Sequence, residues 1–96
     1  MPEFTPLTYS LFAGLLHERF TVAEQAGLTL ELVEATLQRA SVPGVEAFNL
    51  LFRGPLQPLL PQATYTFTAP GTGPLALFIV PVARMADAIQ YQAVFN

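Results

Sequence analysis

The chain contains no cysteine and no lysine, a single histidine and two serines. The missing cysteines exclude disulfides and thiolate metal sites, and leave the redox compartment unread. His17 has no second histidine or cysteine to give a metal-ligand spacing. Ser10 and Ser41 lie outside any Gly-x-Ser-x-Gly pattern, so nucleophilic catalysis has no support in the sequence. Charged residues are only 11% of the chain, and the net charge is −3. Nothing resembles a basic stripe able to displace counterions from phosphates, which argues against nucleic acid as a partner. No apolar run approaches the roughly eighteen residues that span a bilayer, so no membrane span is expected. The start, Met1 to Pro6, carries Glu3 and no positive region of a secretory leader. A cytoplasmic location is expected on that ground, or an extracellular or particle-associated one if an assembly is exported.

What is abundant is apolar: 52% of the 96 residues. Typical soluble domains carry about 25% charged residues, more than twice the share here. A chain of this length makes one domain, 1–96, and buries roughly 60–70% of the surface its unfolded form exposes. The apolar excess therefore needs cover from copies of the chain or from another partner.

Along the chain, residues 1–6 with two prolines read as a flexible arm. Leu7, Leu11, Phe12, Leu15 and Leu16 recur at three and four, which predicts a helix of two to three turns capped by Thr5 or Thr8 and weakened at Gly14. Arg19 to Ala23 alternates, with Phe20 and Val22 on one side. Leu28 to Arg39 fits a strand, Leu28, Leu30 and Leu32 inward, with a bulge where the phase shifts at Leu32-Val33. A helix through Leu30, Val33 and Leu37 is the alternative for that segment. Ala40 to Val45 is a Pro-Gly loop, and Ala47 to Arg53 a strand with Phe48, Leu50 and Phe52 inward. Gly54 to Pro61, with three prolines, predicts an irregular apolar crossing over one end of the core. The last third holds three strands: Thr64 to Thr68, Leu75 to Val82 and Ile89 to Phe95, paired as an antiparallel meander. Six strands spaced about ten residues apart predict an all-β fold, a small six-stranded antiparallel barrel or sandwich, with the short N-terminal helix plugging one end. Phe52, Phe67, Leu77 and Ile79 are expected in its core.

Several segments together carry a resemblance. Phe48-Asn49-Leu50-Leu51-Phe52-Arg53-Gly54-Pro55, Leu60, Thr64-Tyr65, Leu77-Phe78-Ile79-Val80-Pro81-Val82 and Tyr91-Gln92-Ala93-Val94-Phe95-Asn96 resemble a small family of bacterial domains of unknown function. Members of that family are of similar length and are often encoded near phage-tail-collar (microcystin-dependent) proteins. The resemblance implies a structural role beside fibre-like assemblies, with a tail-collar-like protein as a further partner, and carries no catalytic residues. Relatives often have glycine after the Pro-Val, where this chain has Ala83-Arg84.

The chemistry-bearing residues favour bland readings. His17 at a helix end sits where the dipole favours a cation. Glu31 and Glu34, three apart on a strand, are expected on opposite faces of a solvated edge. Gly71-Thr72-Gly73 lies between prolines with no Gly-Lys-Ser/Thr after it, so it reads as a hairpin loop. The aromatics Phe48, Phe52, Tyr65, Phe67, Phe78, Tyr91 and Phe95 are needed for the core before they can line a cavity. No catalytic residue, metal site or cofactor is expected. Two functions remain: a non-catalytic assembly subunit of a ring, layer or fibre, or a small β-barrel binding a hydrophobic ligand or partner protein. The surplus apolar residues point outward in the first and into a cavity in the second. For assembly, the uncharged C-terminal strand is the expected contact, through Ile89, Gln90, Gln92, Val94 and Asn96, by way of a free sheet edge.

Overall fold

The computed structural model describes residues 7–39, 43–44 and 46–95. The proposed arm 1–6, most of the Ala40–Val45 loop and Asn96 lie outside the described residues. Six strands follow one helix: α1 (Tyr9–Ala13), β1 (Arg19–Val22), β2 (Thr29–Gln38), β3 (Ala47–Gly54), β4 (Ala63–Thr68), β5 (Leu75–Arg84) and β6 (Ile89–Phe95). The period-2 segments all became strands, because each alternates buried apolar residues with more exposed ones, polar in most places and apolar at positions such as Leu51, Phe78 and Val80. Leu28 to Arg39 is resolved in favour of the strand. Helix propensity differs by only tenths of a kcal/mol per residue, less than burying Leu28, Leu30 and Leu32 contributes. The ladder skips a residue between Leu32 and Glu34, so the bulge lies where the phase shift predicts it.

β1, β2 and β3 form one antiparallel meander, and β4, β5 and β6 a second. Two seams join them: β3 to β6 over seven residue pairs, from Phe48–Phe95 to Gly54–Ile89, and β1 to β4 over two. The sheet thus closes on itself in the order β1-β2-β3-β6-β5-β4. Each meander's middle strand is ten residues long and carries a bulge, β2 at Leu32/Glu34 and β5 at Pro81/Ala83. Bulges bend a strand and add twist, which a closing sheet requires.

The interior is filled by side chains. Phe12, Phe20, Phe48, Phe52, Phe67, Tyr91, Leu77 and Ile79 are all buried. Phe20, Phe52 and Phe67 make one aromatic nest, with ring centroids 5.1–6.2 Å apart. Phe48 stacks on Phe95 at 4.4 Å, and Phe12 leans on both. Phe12 comes from α1, which packs on β2 and β3 at that end of the ring. The helix is shorter than its apolar spacing predicts: the Thr8 hydroxyl accepts the Leu11 N–H at 3.1 Å, and the helix stops at Gly14 after five residues. The proline-rich crossing covers the opposite end. Its Leu60 is buried, and the Leu60 N–H donates to the Tyr91 phenol oxygen at 3.0 Å. The Tyr65 hydroxyl holds the same crossing at the Pro61 carbonyl, 2.7 Å away. Gly54 allows the ring to close tightly there, since a β-carbon at that position would run into the Leu30 side chain.

Candidate assembly surface

Register sorts the outward side chains into belts. The first belt is charged: Arg19 stands opposite Glu31, Glu31 opposite Arg53, and Arg53 opposite Gln90. The Arg53 Nη2 donates to the Asp87 Oδ2 at 2.8 Å, and the His17 Nδ1 lies 3.4 Å from the Glu31 Oε2. Beside them runs an open groove of about 420 Å³ lined by Arg19, Leu28, Glu31, Arg53, Asp87 and Ala88. Both pairs are solvent-exposed, and such pairs contribute roughly 0–1 kcal/mol. The belt is a solvated face whose charges largely offset one another. Glu31 and Glu34 both belong to the outside, pairing with Arg53 and Leu51. The expectation of opposite faces is corrected here: the bulge at Val33 shifts the phase by one residue. They do not converge, since Glu34 accepts from the Thr36 hydroxyl and Glu31 faces His17.

The second belt is uncharged. Thr36, Asn49 and Val94 align across β2, β3 and β6, and Phe78 stands opposite Thr64 on β4. Val80 pairs with Gln92; Phe78 and Val94 lie two residues beyond that pair, each on the outward phase of its strand. Phe78 is 51% exposed and Val94 54%. Strands β4 and β6 have no charged residue, and β5 has one only at its last position, Arg84. Along β5 the apolar stripe continues through half-buried Val80 to exposed Val82, at the two-residue spacing that keeps side chains on one face. Exposed Leu59 and Met85 extend it. A shallow groove of about 290 Å³ lies at that end, among Leu59, Pro81, Val82, Ala83, Arg84 and Ile89.

The expected contact residues divide. Val94 is exposed, and Gln90 and Gln92 are half-buried on the outer face. Ile89 is 3% exposed and belongs to the core. β6 hydrogen-bonds to β3 on one side and β5 on the other, so it offers no free edge. The expected route through a sheet edge is therefore corrected: the accessible part of β6 is its outward face. Phe78 is corrected the other way, from core aromatic to surface. The signal was present in the sequence, because Leu77 and Ile79 inward oblige Phe78 to point outward. Val82 follows the same alternation outward, whereas Leu59 and Met85 lie in the irregular crossing and in the turn after β5, where alternation assigns no facing.

Among the described residues, no three His, Cys, Asp or Glu lie close enough to hold a metal ion. No helix among them is long and apolar enough to cross a membrane. No curated protein and no solved structure matches the chain. A family model described as Domain of unknown function (DUF6916) matches residues 7–95. That match spans nearly the whole chain, and the protein belongs to this family.

Proposed function

We propose that the chain is a non-catalytic assembly subunit that packs against copies of itself through the uncharged outer face of β5 and β6. The observation that carries this reading is the exposure of Phe78 and Val94, each about half exposed on paired strands whose one charge is Arg84 at the far end of β5. Covering a phenylalanine or valine side chain is worth about 1.5–3 kcal/mol, and contiguous apolar patches on a surface mark contact sites. The competing reading, a module for a hydrophobic ligand, has a weaker basis. The buried aromatics pack on one another, and the apolar groove at Leu59 and Val82 is shallow and open to solvent where ligand pockets bury most of their ligand's surface. Rings, layers and fibres are all products such a subunit could build, alone or beside a tail-collar-like protein.

Light scattering on a size-exclusion column tests the proposal. A mass above the 10.4 kDa of one chain is expected, and Val94→Lys should return it to one chain with an unchanged circular dichroism spectrum. Wild-type protein that stays monomeric from micromolar to millimolar concentration would overturn it.

A further inference from the structure

We infer that the seam between β1 and β4 is a latch worked by a proton: protonating the Glu24 carboxyl shifts this seam toward an open form while the other five strand junctions stay closed. The inference is independent of the assembly reading above.

This seam is the shortest in the ring. Two residue pairs join β1 to β4, where β1 and β2 share three, β5 and β6 four, β4 and β5 five, and the two remaining junctions seven each. β1 ends at Val22, and the chain beyond it finishes the closure. The Ala23 N–H donates to the Thr66 carbonyl at 3.0 Å. The two Glu24 carboxylate oxygens accept the Thr66 N–H and the Thr66 hydroxyl, each at 2.8 Å. One exposed side chain thus satisfies both donors of Thr66. Apolar burial resists opening: Phe20, Val22 and Phe67 are core, and the Phe20 and Phe67 rings are 6.2 Å apart. The open form is therefore a minor one, and the proton changes its share.

An ionised carboxylate accepts on both oxygens, so it suits two donors at once. Protonation turns one oxygen into a hydroxyl, weakens it as an acceptor and removes the charge that strengthens both bonds. Among the described residues, no other charge on the elements flanking the seam lies at its Glu24 end. β4 holds no charged residue, and its Tyr65 hydroxyl donates to the Pro61 carbonyl. The one charge of β1 is Arg19 at the start of the strand, opposite Glu31 of β2. On β5 it is Arg84, beyond the part that pairs with β4. The Thr66 bonds, the backbone N–H foremost, hold the Glu24 pKa below its ordinary 4.5. A lowered folded-state value leaves the latch fully closed above the ordinary pKa and loosens it as pH falls through the lowered one. Open, β4 keeps β5 on one side only and presents an edge without charge or proline, a kind that sheets ordinarily blunt.

Amide hydrogen exchange, corrected for the intrinsic dependence of exchange on pH, tests the latch between about pH 6 and about pH 3, a window that brackets the ordinary glutamate pKa. In wild type the amides of Ala23 and Thr66 are expected to exchange ahead of those in β3 at every pH. Their protection should fall several-fold toward the acid end. Glu24→Gln should begin near the level that wild type reaches in acid and change little from there. Glu24 is exposed, so the substitution leaves the fold intact. Ala23 and Thr66 exchanging in step with β3 throughout would overturn the inference, because the seam would then open only with the whole molecule. So would seam protection that ignores pH in wild type. A pH dependence that survives in Glu24→Gln would assign the proton to another group and sink the latch as described.

Discussion

Tyr91 shows what one side chain does in this fold. Its ring is buried at the heart of the core and its phenol oxygen accepts the N–H of Leu60, tying the proline-rich crossing to β6. Burial raises the phenol pKa above its ordinary value, the Leu60 N–H opposing that shift in part, so the group is neutral throughout the physiological range. Tyr91→Phe leaves the ring in place and strands a buried N–H. It should cost about 1–3 kcal/mol, read as a lower urea midpoint with an unchanged slope; an unchanged midpoint would mean that the crossing is held by other contacts. Phe78 and Tyr91 also mark how far single residues can be read from sequence. Facing was legible wherever strict alternation ran on, which placed Phe52, Phe67, Leu77 and Ile79 inside. The Tyr91–Leu60 bond was not, because nothing local relates residues thirty-one apart.

At the scale of elements, the weak place is the seam between β1 and β4. Two residue pairs join these strands, Thr21 with Thr68 and Val22 with Phe67, because β1 ends at Val22. The Ala23 N–H then reaches the Thr66 carbonyl at 3.0 Å. Beyond that a side chain takes over: the two Glu24 carboxylate oxygens accept the backbone N–H and the hydroxyl of Thr66, both at 2.8 Å. The carboxylate stands where a third backbone rung would be. Those bonds favour the ionised form, the backbone N–H foremost, and hold the Glu24 pKa below the ordinary glutamate range. A depressed folded-state pKa gives stability that is complete above the unfolded-state value and is lost as pH falls through the lowered one. Wild type should therefore outlast Glu24→Gln in urea at neutral pH, and the gap should close on acidification below about pH 4. A gap that persists in acid would show that charge is not what holds the seam. Strand existence and the β2 bulge were legible because period and phase are local. The joining of β3 to β6 and of β1 to β4 was not, since ring order follows from how two meanders pack. The edge proposed for β6 failed for this reason: the last strand in sequence is an interior strand in the ring.

At the scale of the whole molecule, two structural demands on β6 can be separated. Its inward residues Ile89, Tyr91 and Ala93 are core, and its backbone joins β3 to β5; its outward Val94 belongs to the surface alone. Deleting residues 90–96 should thus abolish cooperative unfolding altogether, whereas Val94→Lys, compared with wild type at a concentration where both are single chains, should change the unfolding free energy by no more than about 0.5 kcal/mol. A deletion variant that still melts cooperatively would show that the ring is dispensable. Composition announced the apolar surplus and alternation turns Phe78, Val82 and Val94 outward, whereas the exposure of Leu59 and Met85 depended on the irregular crossing and the turn after β5.

The two-meander arrangement also has a kinetic side. Hairpins within each meander join residues close in sequence and close quickly. The seams join residues 35 to 47 apart, and ordering so much intervening chain before any gain is what slows non-local pairing. Folding should then run as two local events followed by a docking, with the two-pair seam at β1 and β4 the last to close and the first to open. Amide hydrogens of Val22 and Ala23 would exchange with solvent well ahead of those in β3, giving the ring a built-in place to breathe.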